Sequence, residues 1–193
     1  MPPKPLLSLP RVQSTEGRWL HAVDHVSASP RATAPHRHAR GQLFGTDAGV
    51  LTLQTGDGRW VVPAAHAVWI PPGVEHGAQT HGPFAGWAAY LAPDACEGLP
   101  DAPCTLSMSA LLRAAIARAA RWPEHALDPA QERLAAVIAD EIRALEPVPT
   151  ALPMPTDARL RKIADALIVD PSDTRRLQDW AAWAAIAPRT LTR

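Results

Sequence analysis

The sequence has no net charge, only two cysteines and no long hydrophobic run, and each of these shortages excludes a class of protein. Its 19 basic and 19 acidic residues give a formal net charge of +0, which argues against a polybasic or acidic tail and against a wholly disordered chain. Cys96 and Cys104 form neither a CxxC pair nor a disulfide framework. We therefore expect a reducing, cytoplasmic setting.

Membrane association is not expected either. No hydrophobic run reaches the roughly 20 residues that a transmembrane helix needs. The N-terminal leucine patch is broken by Pro5 and Pro10, which is not the pattern of a secretory signal. The sequence also lacks a glycine-rich phosphate loop, a GxSxG elbow and a cysteine–histidine pair at nucleophile spacing. These absences favour a protein that is not an enzyme.

Residues 18–91 are typical of a small antiparallel β unit, because short segments of alternating polarity are separated by glycine and proline. The run Thr55-Gly56-Asp57-Gly58 predicts a tight hairpin, since its glycines tolerate positive φ. A unit of about seven or eight strands favours a barrel or a jelly roll. The predicted strands are Trp19–Ser27, Gln42–Thr46, Val50–Gln54, Arg59–Val62, Ala67–Ile70, His76–Thr80 and Trp87–Leu91.

Beyond residue 103 the hydrophobic period changes from 2 to about 3.6, which predicts helices. Asp128, Pro129 and Gln131 together form the start signal of one of them: an N-cap, a first-turn proline and a capping-box amide. The proline-rich stretch Glu146–Pro155 predicts a linker without regular structure. The predicted helices are Ser107–Arg121, a segment from Pro129 to Leu145, Asp157–Val169 and Thr174–Ala184.

Three histidines have the spacing of a binding site. His36 and His38 are two positions apart, so on an extended strand both imidazoles point to one face, to which Gln42 returns. His76 follows the sequence Pro71-Pro72-Gly73, which predicts a turn that could deliver a third imidazole. Three neutral imidazoles suit Zn, Ni or Fe. A hydrogen-bonded pocket without metal is the alternative interpretation.

These residues resemble the two sequence motifs of the cupin family. The run His36-x-His38-x-x-x-Gln42, followed by six residues and Gly49, is similar to the first motif, and Pro71-x-Gly73-x-x-His76 is similar to the second. The resemblance implies that His36, His38, Gln42 and His76 surround one effector or metal site. Three departures stand out: Gln42 replaces the usual Glu, Ala65 the usual opening Gly, and Thr80 the usual closing Asn.

Three tryptophans of the β unit have two interpretations. Trp60, Trp69 and Trp87 alternate with hydrophobic neighbours, which is typical of core packing. A role as walls of a ligand pocket is the alternative, since aromatic side chains often line such pockets.

The last stretch, Leu177–Arg193, resembles the first helix-turn-helix of AraC/XylS-type transcription regulators. The resemblance implies that a second helix begins near Pro188 and presents Arg189, Thr190 and Arg193 to DNA. Ala185 replaces the family's turn glycine, and Ala187 replaces its serine cap. The family's second helix-turn-helix is absent from these 193 residues, so we expect the DNA-binding domain to be truncated.

Together the two resemblances predict an α+β protein of the AraC/XylS family. A cupin-like antiparallel β-barrel over residues 1–100 would sense a small molecule, residues 101–155 would form a helical connector and linker, and residues 156–193 would begin the DNA-binding domain. The resemblance also implies a homodimer. The seam predicted on the second connector helix consists of Leu134, Val137, Ile138, Ile142 and Leu145.

Two other functions remain open at this stage. The first is a metal-dependent cupin enzyme, an isomerase or a dioxygenase, whose C-terminal segment is incidental. The second is a sensor fragment that dimerises with full-length relatives and blocks them.

Overall fold

We describe the protein from a computed structural model. It covers residues 12–56, 58–62, 64–148, 151–153, 155–170 and 172–191. The described residues fall into two compact units, the first ending at Leu152 and the second beginning at Pro153. The helices predicted as a connector therefore belong to the same compact unit as the strands.

The first unit is built from two antiparallel sheets. Eleven strands are described: β1 (Leu20–Ser27), β2 (Ala32–His36), β3 (Gly41–Ala48), β4 (Leu51–Thr55), β5 (Gly58–Val62), β6 (His66–Ile70), β7 (His76–Thr80), β8 (Phe84–Leu91), β9 (Cys104–Ser107), β10 (Pro147–Val148) and β11 (Ala151–Pro153). One sheet has the order β1-β8-β3-β6-β9-β10 and the other β11-β5-β4-β7-β2. The α+β class and the cupin-like antiparallel unit are confirmed, but two sheets stand where a closed barrel was predicted.

The seven predicted strands are all present, and β7 has the predicted bounds. The pattern missed β2, because Pro35 interrupts it and a proline argues against a strand interior. It also missed β9, a four-residue strand in a proline-rich stretch. The prediction of an irregular linker was wrong in part: β10 pairs with β9, and β11 joins the five-stranded sheet. Both are short strands at sheet edges, where proline is tolerated.

The six-stranded sheet is buried on both faces. On β3, Phe44 packs between the two sheets, whereas its neighbour Leu43 packs on the opposite face. The same alternation separates Val68 from Trp69 on β6. Because side chains alternate across a strand, a sheet covered on both sides needs hydrophobic residues at nearly every position. This explains the unbroken hydrophobic run within Ala67–Ile70.

Two helices cover the outer face of that sheet, α1 (Ala110–Ala119) and α2 (Pro129–Ala144). The predicted capping box is confirmed, with Asp128 as N-cap and Gln131 returning to the Asp128 backbone. The first helix is shorter than predicted, because Ser107 ends β9 and Ser109 caps α1 by accepting a hydrogen bond from Leu112 N. Both helices contribute to one core, which includes Leu112, Ile116, Ile138 and Ile142.

The burial of α2 alters the predicted dimer seam. Ile138 and Ile142 are fully enclosed in the core of their own protomer, and Leu134 and Leu145 pack against that same core. Of the five predicted seam residues, Val137 is the one on the exposed face of the helix. The prediction was wrong for Ile138 and Ile142, since one hydrophobic stripe cannot face the sheet and a second copy at once.

The second unit contains α3 (Ala158–Val169), α4 (Leu177–Trp183) and α5 (Pro188–Leu191). Its core includes Ile163, Trp180 and Ile186. The Arg175 guanidinium lies 3.6 Å from the Trp180 ring centroid. Arg175 precedes α4, which begins at Leu177, three residues later than predicted. In the described part of this unit and of the first, no helix has the length and hydrophobicity to cross a membrane.

Candidate functional site

The predicted histidines meet between the two sheets at one end of the first unit. His36 ends β2 and pairs in register with His76, the first residue of β7. His38 follows β2 in the loop that leads to β3. Gln42 lies on β3, on the face that turns toward the second sheet. The structure thus brings all four predicted residues together from three strands and a loop.

The ring centroids of the three histidines are separated by short distances. They are 4.5 Å for His36 and His76, 4.9 Å for His38 and His76, and 5.7 Å for His36 and His38. One ligand nitrogen from each ring lies within 4.8 Å of the others. His38 and His76 are buried, and His36 is partly exposed. This cluster is hereafter the histidine site.

Each imidazole is oriented by a backbone carbonyl. His36 Nδ1 donates to Ala34 O at 3.0 Å, His38 Nδ1 donates to Arg40 O at 2.7 Å, and His76 Nδ1 donates to Val74 O at 2.8 Å. Because a carbonyl only accepts, Nδ1 carries the proton and Nε2 is the lone-pair nitrogen in the neutral ring. The carbonyls therefore fix the tautomer that leaves Nε2 free to coordinate a metal.

The turn before His76 is tied to the loop that carries His38. Gly73 N donates to His38 O at 2.9 Å, and Gly73 adopts a φ of 76°. That left-handed conformation is one that glycine tolerates without a Cβ penalty. The predicted turn at Pro71-Pro72-Gly73 therefore both delivers His76 and holds it beside His38.

Burial keeps the two inner imidazoles neutral. Burial and, to a smaller extent, the neighbouring histidines lower the pKa of His76 to about 4, although the hydrogen bond to Val74 O opposes the shift. Burial also lowers the pKa of His38, although hydrogen bonds to Gln42 and to Arg40 O oppose the shift. Neutral imidazole is the form that binds a metal ion. The electrostatics thus favour coordination over protonation at neutral pH.

Gln42 supplies a fourth candidate metal-ligand atom. Its Oε1 lies 3.0 Å from His38 Nε2 and 3.2 Å from His76 Nε2. In a neutral ring with the proton on Nδ1, each Nε2 is an acceptor that faces another acceptor. A divalent cation among these atoms would remove that repulsion, as would a rotation of the amide that turns its NH2 group toward the imidazoles. Three imidazole nitrogens and one amide oxygen fit Zn, Ni or Fe better than Mg or Ca.

Two buried residues next to the site were missed by sequence reasoning. The Tyr90 ring centroid lies 5.7 Å from that of His38, and burial raises the pKa of its hydroxyl. Arg40 is fully buried, and its guanidinium donates to the carbonyls of Ser14, Glu16 and Trp19. The sequence pattern around Arg40 or Tyr90 does not predict these contacts, because the partner residues lie far away in sequence.

The three tryptophans do not line one pocket. Trp60 is buried in the core between the sheets, on the side of the histidine site. Trp69 and Trp87 belong to the core between the six-stranded sheet and the helices. The Trp69 indole N–H donates to Pro100 O at 2.9 Å. Packing therefore accounts for Trp87, and Trp69 also borders an open surface groove.

The DNA-facing residues predicted in the second unit lie at its end. Arg189 and Thr190 are exposed on α5. Arg193 lies outside the described residues. Ala185 adopts a φ of 52°. The turn between α4 and α5 therefore has a left-handed backbone at the position where the helix-turn-helix motif that this sequence resembles has glycine.

The family assignment follows from a comparison with known proteins. A family model described as the AraC-like ligand binding domain matches residues 22–146. That span includes the histidine site and both helices of the first unit. The chain belongs to this family, which confirms the AraC-type resemblance of the first unit; residues 177–193 lie outside the match.

The relatives include transcription regulators. The chain is 29% identical over 170 residues to the HTH-type transcriptional regulator NimR of Escherichia coli (strain K12), a match that covers 88% of this chain and 62% of NimR. Among solved structures, the AraC-like transcriptional activator CuxR has 11% identity and a TM-score of 0.48 over 90% of this chain and 69% of its own. ToxT from Vibrio cholerae has 8% identity and a TM-score of 0.46, over 91% and 74%.

Proposed function

We propose that this chain is the sensor-bearing part of a cytoplasmic transcription regulator, in which a small-molecule effector controls DNA binding. The observation that carries the proposal is the histidine site, a buried polar cluster inside a domain of the AraC-like ligand binding family. Buried polar groups are costly unless they are satisfied. Four facing side chains that bring Nε2 and Oε1 atoms together are therefore suited to bind a ligand.

The effector or a metal ion, or both, would occupy the histidine site. His36, His38 and His76 would hold a metal through Nε2, with Gln42 Oε1 as a fourth ligand. Such a metal would supply a Lewis-acidic centre for an oxygen- or nitrogen-bearing effector. The backbone carbonyls that fix the rings would keep the site preformed, and preformed sites bind with less loss of conformational entropy.

The proposal includes partners beyond the effector. DNA would be bound by the complete form of the second unit, through exposed residues such as Arg189 and Thr190. A homodimer would form through the exposed face of α2, which presents Val137. For the effector to act, it must bind one arrangement of sensor and DNA-binding unit more tightly than another.

Transcript measurement in the source organism tests this proposal. We expect deletion of the gene to change the transcripts of a small group of genes. His76→Gln in the histidine site should abolish the response of those transcripts to growth conditions. His66→Ala is the matched control, because His66 is a histidine outside the site. Unchanged transcripts in the deletion strain would contradict the proposal.

One observation favours a second candidate, a metal-dependent cupin enzyme of the isomerase or dioxygenase type. The donor set of three imidazoles and an amide oxygen would suit a catalytic metal as well as a sensory one. The two candidates differ in what deletion of the gene changes. An enzyme converts a substrate when metal is bound, and its deletion changes metabolites without a direct effect on transcription.

A further inference from the structure

A cavity separate from the histidine site lies outside the two sheets, and it has the size of a ligand site. Its volume is about 550 Å³, within the range of roughly 300–1,000 Å³ typical of small-molecule sites. By contrast, a cavity between the sheets near His25 and Phe44 measures about 30 Å³. The larger cavity shares no lining residue with the histidine site. We call it the N-terminal cavity.

Three parts of the chain form the N-terminal cavity. One wall is the segment before β1 together with the start of that strand, including Glu16, Trp19 and His21. The opposite wall is the loop between α1 and α2, including His125 and Leu127. Glu132 on α2 closes the space between them. These parts are far apart in sequence, so the cavity exists only in the folded chain.

The walls are held in place by specific hydrogen bonds. The buried Arg40 guanidinium donates to the carbonyls of Ser14 at 2.9 Å, Glu16 at 3.3 Å and Trp19 at 3.3 Å. The indole N–H of Trp19 donates to Glu132 Oε2 at 2.7 Å and joins the N-terminal segment to α2. A ligand would therefore meet a preformed cavity, which lowers the entropic cost of binding.

The chemistry of the lining selects one class of ligand. Glu16, Glu124 and Glu132 contribute three carboxylates, Arg18 contributes one guanidinium, and His21 and His125 add two imidazoles. Trp19 adds an indole ring. Carboxylates attract a cation, and an indole favours a cationic head group through its π face. An anionic ligand would meet an excess of negative charge.

We propose that the N-terminal cavity binds a small organic cation, an amine or a quaternary ammonium that carries an aromatic or alkyl group. The cationic head group lies among the carboxylates and against the Trp19 ring, and the hydrophobic part packs against Leu127. This inference does not depend on the proposed function, because no group of the histidine site takes part in it.

Nuclear magnetic resonance of the 15N-labelled 193-residue chain tests this inference with benzyltrimethylammonium as the probe. The seven tryptophans give separate indole N–H signals, and Trp19→Phe identifies the signal of Trp19. We expect the probe to shift that signal saturably. Phenylacetate, an anion with the same ring, should produce no saturable shift.

Two variants separate binding by the cavity from a general charge effect. Glu16→Gln combined with Glu132→Gln keeps the side-chain shape and an oxygen acceptor, and should weaken probe binding about fivefold or more, as expected for the loss of two exposed ion pairs. Glu97→Gln is the control, because Glu97 carries the same charge outside the cavity lining. Three results would overturn the inference: no saturable Trp19 shift, equal binding of phenylacetate, or unchanged affinity in the double variant.

Discussion

Gln42 Oε1 lies between the two buried imidazoles of the histidine site, 3.0 Å from His38 Nε2 and 3.2 Å from His76 Nε2. Both rings donate from Nδ1 to backbone carbonyls, so in their neutral form they turn lone pairs toward that oxygen. In this orientation of the amide the arrangement is repulsive without a cation and favourable with one, whereas rotation of the amide by 180° would let the Gln42 NH2 group donate to the imidazoles in the metal-free protein.

The first prediction concerns metal content. Zinc titrated into chelator-treated protein should bind at about one equivalent, because the site has three imidazole nitrogens and one amide oxygen. His38→Ala should abolish tight binding, and His66→Ala should leave it unchanged. Calorimetry together with elemental analysis measures both. Equal zinc content in the His38→Ala variant and the wild type would show that the site holds no metal.

The second prediction concerns Gln42→Glu, which introduces the carboxylate of the cupin motif that this sequence resembles. Without metal, the variant should be less stable by about 1–3 kcal/mol, because it buries a charge among neutral groups. With zinc, the added negative charge should strengthen binding and increase the rise in melting temperature relative to the wild type. Thermal melting with chelator and with zinc measures the two effects. A variant that melts like the wild type in both conditions would contradict this account.

The third prediction concerns two alanines with left-handed backbone. Ala65 has a φ of 65° and Ala185 a φ of 52°, and this conformation costs a residue with a Cβ roughly 1–2 kcal/mol. Ala65→Gly and Ala185→Gly should each stabilise the fold by up to about 1 kcal/mol. The gain is smaller than the strain removed, because glycine raises the conformational entropy of the unfolded chain. Melting curves report the first change, and amide exchange in residues 177–191 reports the second.

A reverse substitution provides the control for these glycine variants. Gly49 has a φ of 85°, and a Cβ at this position would lie 2.5 Å from Pro83 O. Gly49→Ala should therefore destabilise the protein. If Ala65→Gly instead lowered the melting temperature, the strain argument would be wrong for that turn.

The fourth prediction separates core packing from dimerisation on α2. Ile138→Ala should destabilise the fold by about 2–5 kcal/mol, because Ile138 is fully buried in the core of the protomer. Val137→Glu should change stability by no more than about 0.5 kcal/mol and shift the protein toward the monomer. Sedimentation velocity measures the oligomer. Leu111→Glu, on the exposed part of α1, is the matched control, and equal dissociation in both variants would place the seam elsewhere.

The fifth prediction concerns DNA. The 193-residue chain alone should not bind operator DNA specifically, because residues 156–193 carry seven Arg or Lys against five Asp. Two of those arginines are also paired locally, Arg159 with Asp157 and Arg175 with Asp173. A balance of +2 supplies little affinity by counterion release. Nanomolar, sequence-specific binding in a mobility-shift assay at physiological salt would refute the prediction.

Much of the fold could be predicted because its signals are local. Alternation and turn residues located seven strands, and the capping box at Asp128 located the start of α2. The strands that were missed have a competing local signal: Pro35 lies inside β2, and β10 begins at Pro147. Such strands form because a neighbouring strand offers hydrogen-bond partners, and no pattern within four or five residues reports that neighbour.

The histidine site was predictable in its members but not in its geometry. The spacing of His36 and His38 predicted one face of a single strand, whereas His38 lies in the loop after β2 and Gln42 lies on β3 of the other sheet. The turn ahead of His76 could be predicted from Pro71, Pro72 and Gly73. The roles of Arg40 and Tyr90 were not predictable, since each depends on atoms more than twenty residues away. The tryptophans were ambiguous for the same reason: strand alternation gives two faces but does not say which one the helices cover.

The sequence by itself determined the elements, the family resemblance and the residues of the histidine site, because periodicity, caps and motif spacing act over a few residues. Only the tertiary structure decided that the β unit is two sheets, that the stripe on α2 faces its own sheet, and that Glu132 meets Trp19 beside a cavity. Those outcomes depend on which surfaces exclude water together, and hydrophobic burial is non-directional. A one-dimensional pattern identifies a hydrophobic face without naming its partner.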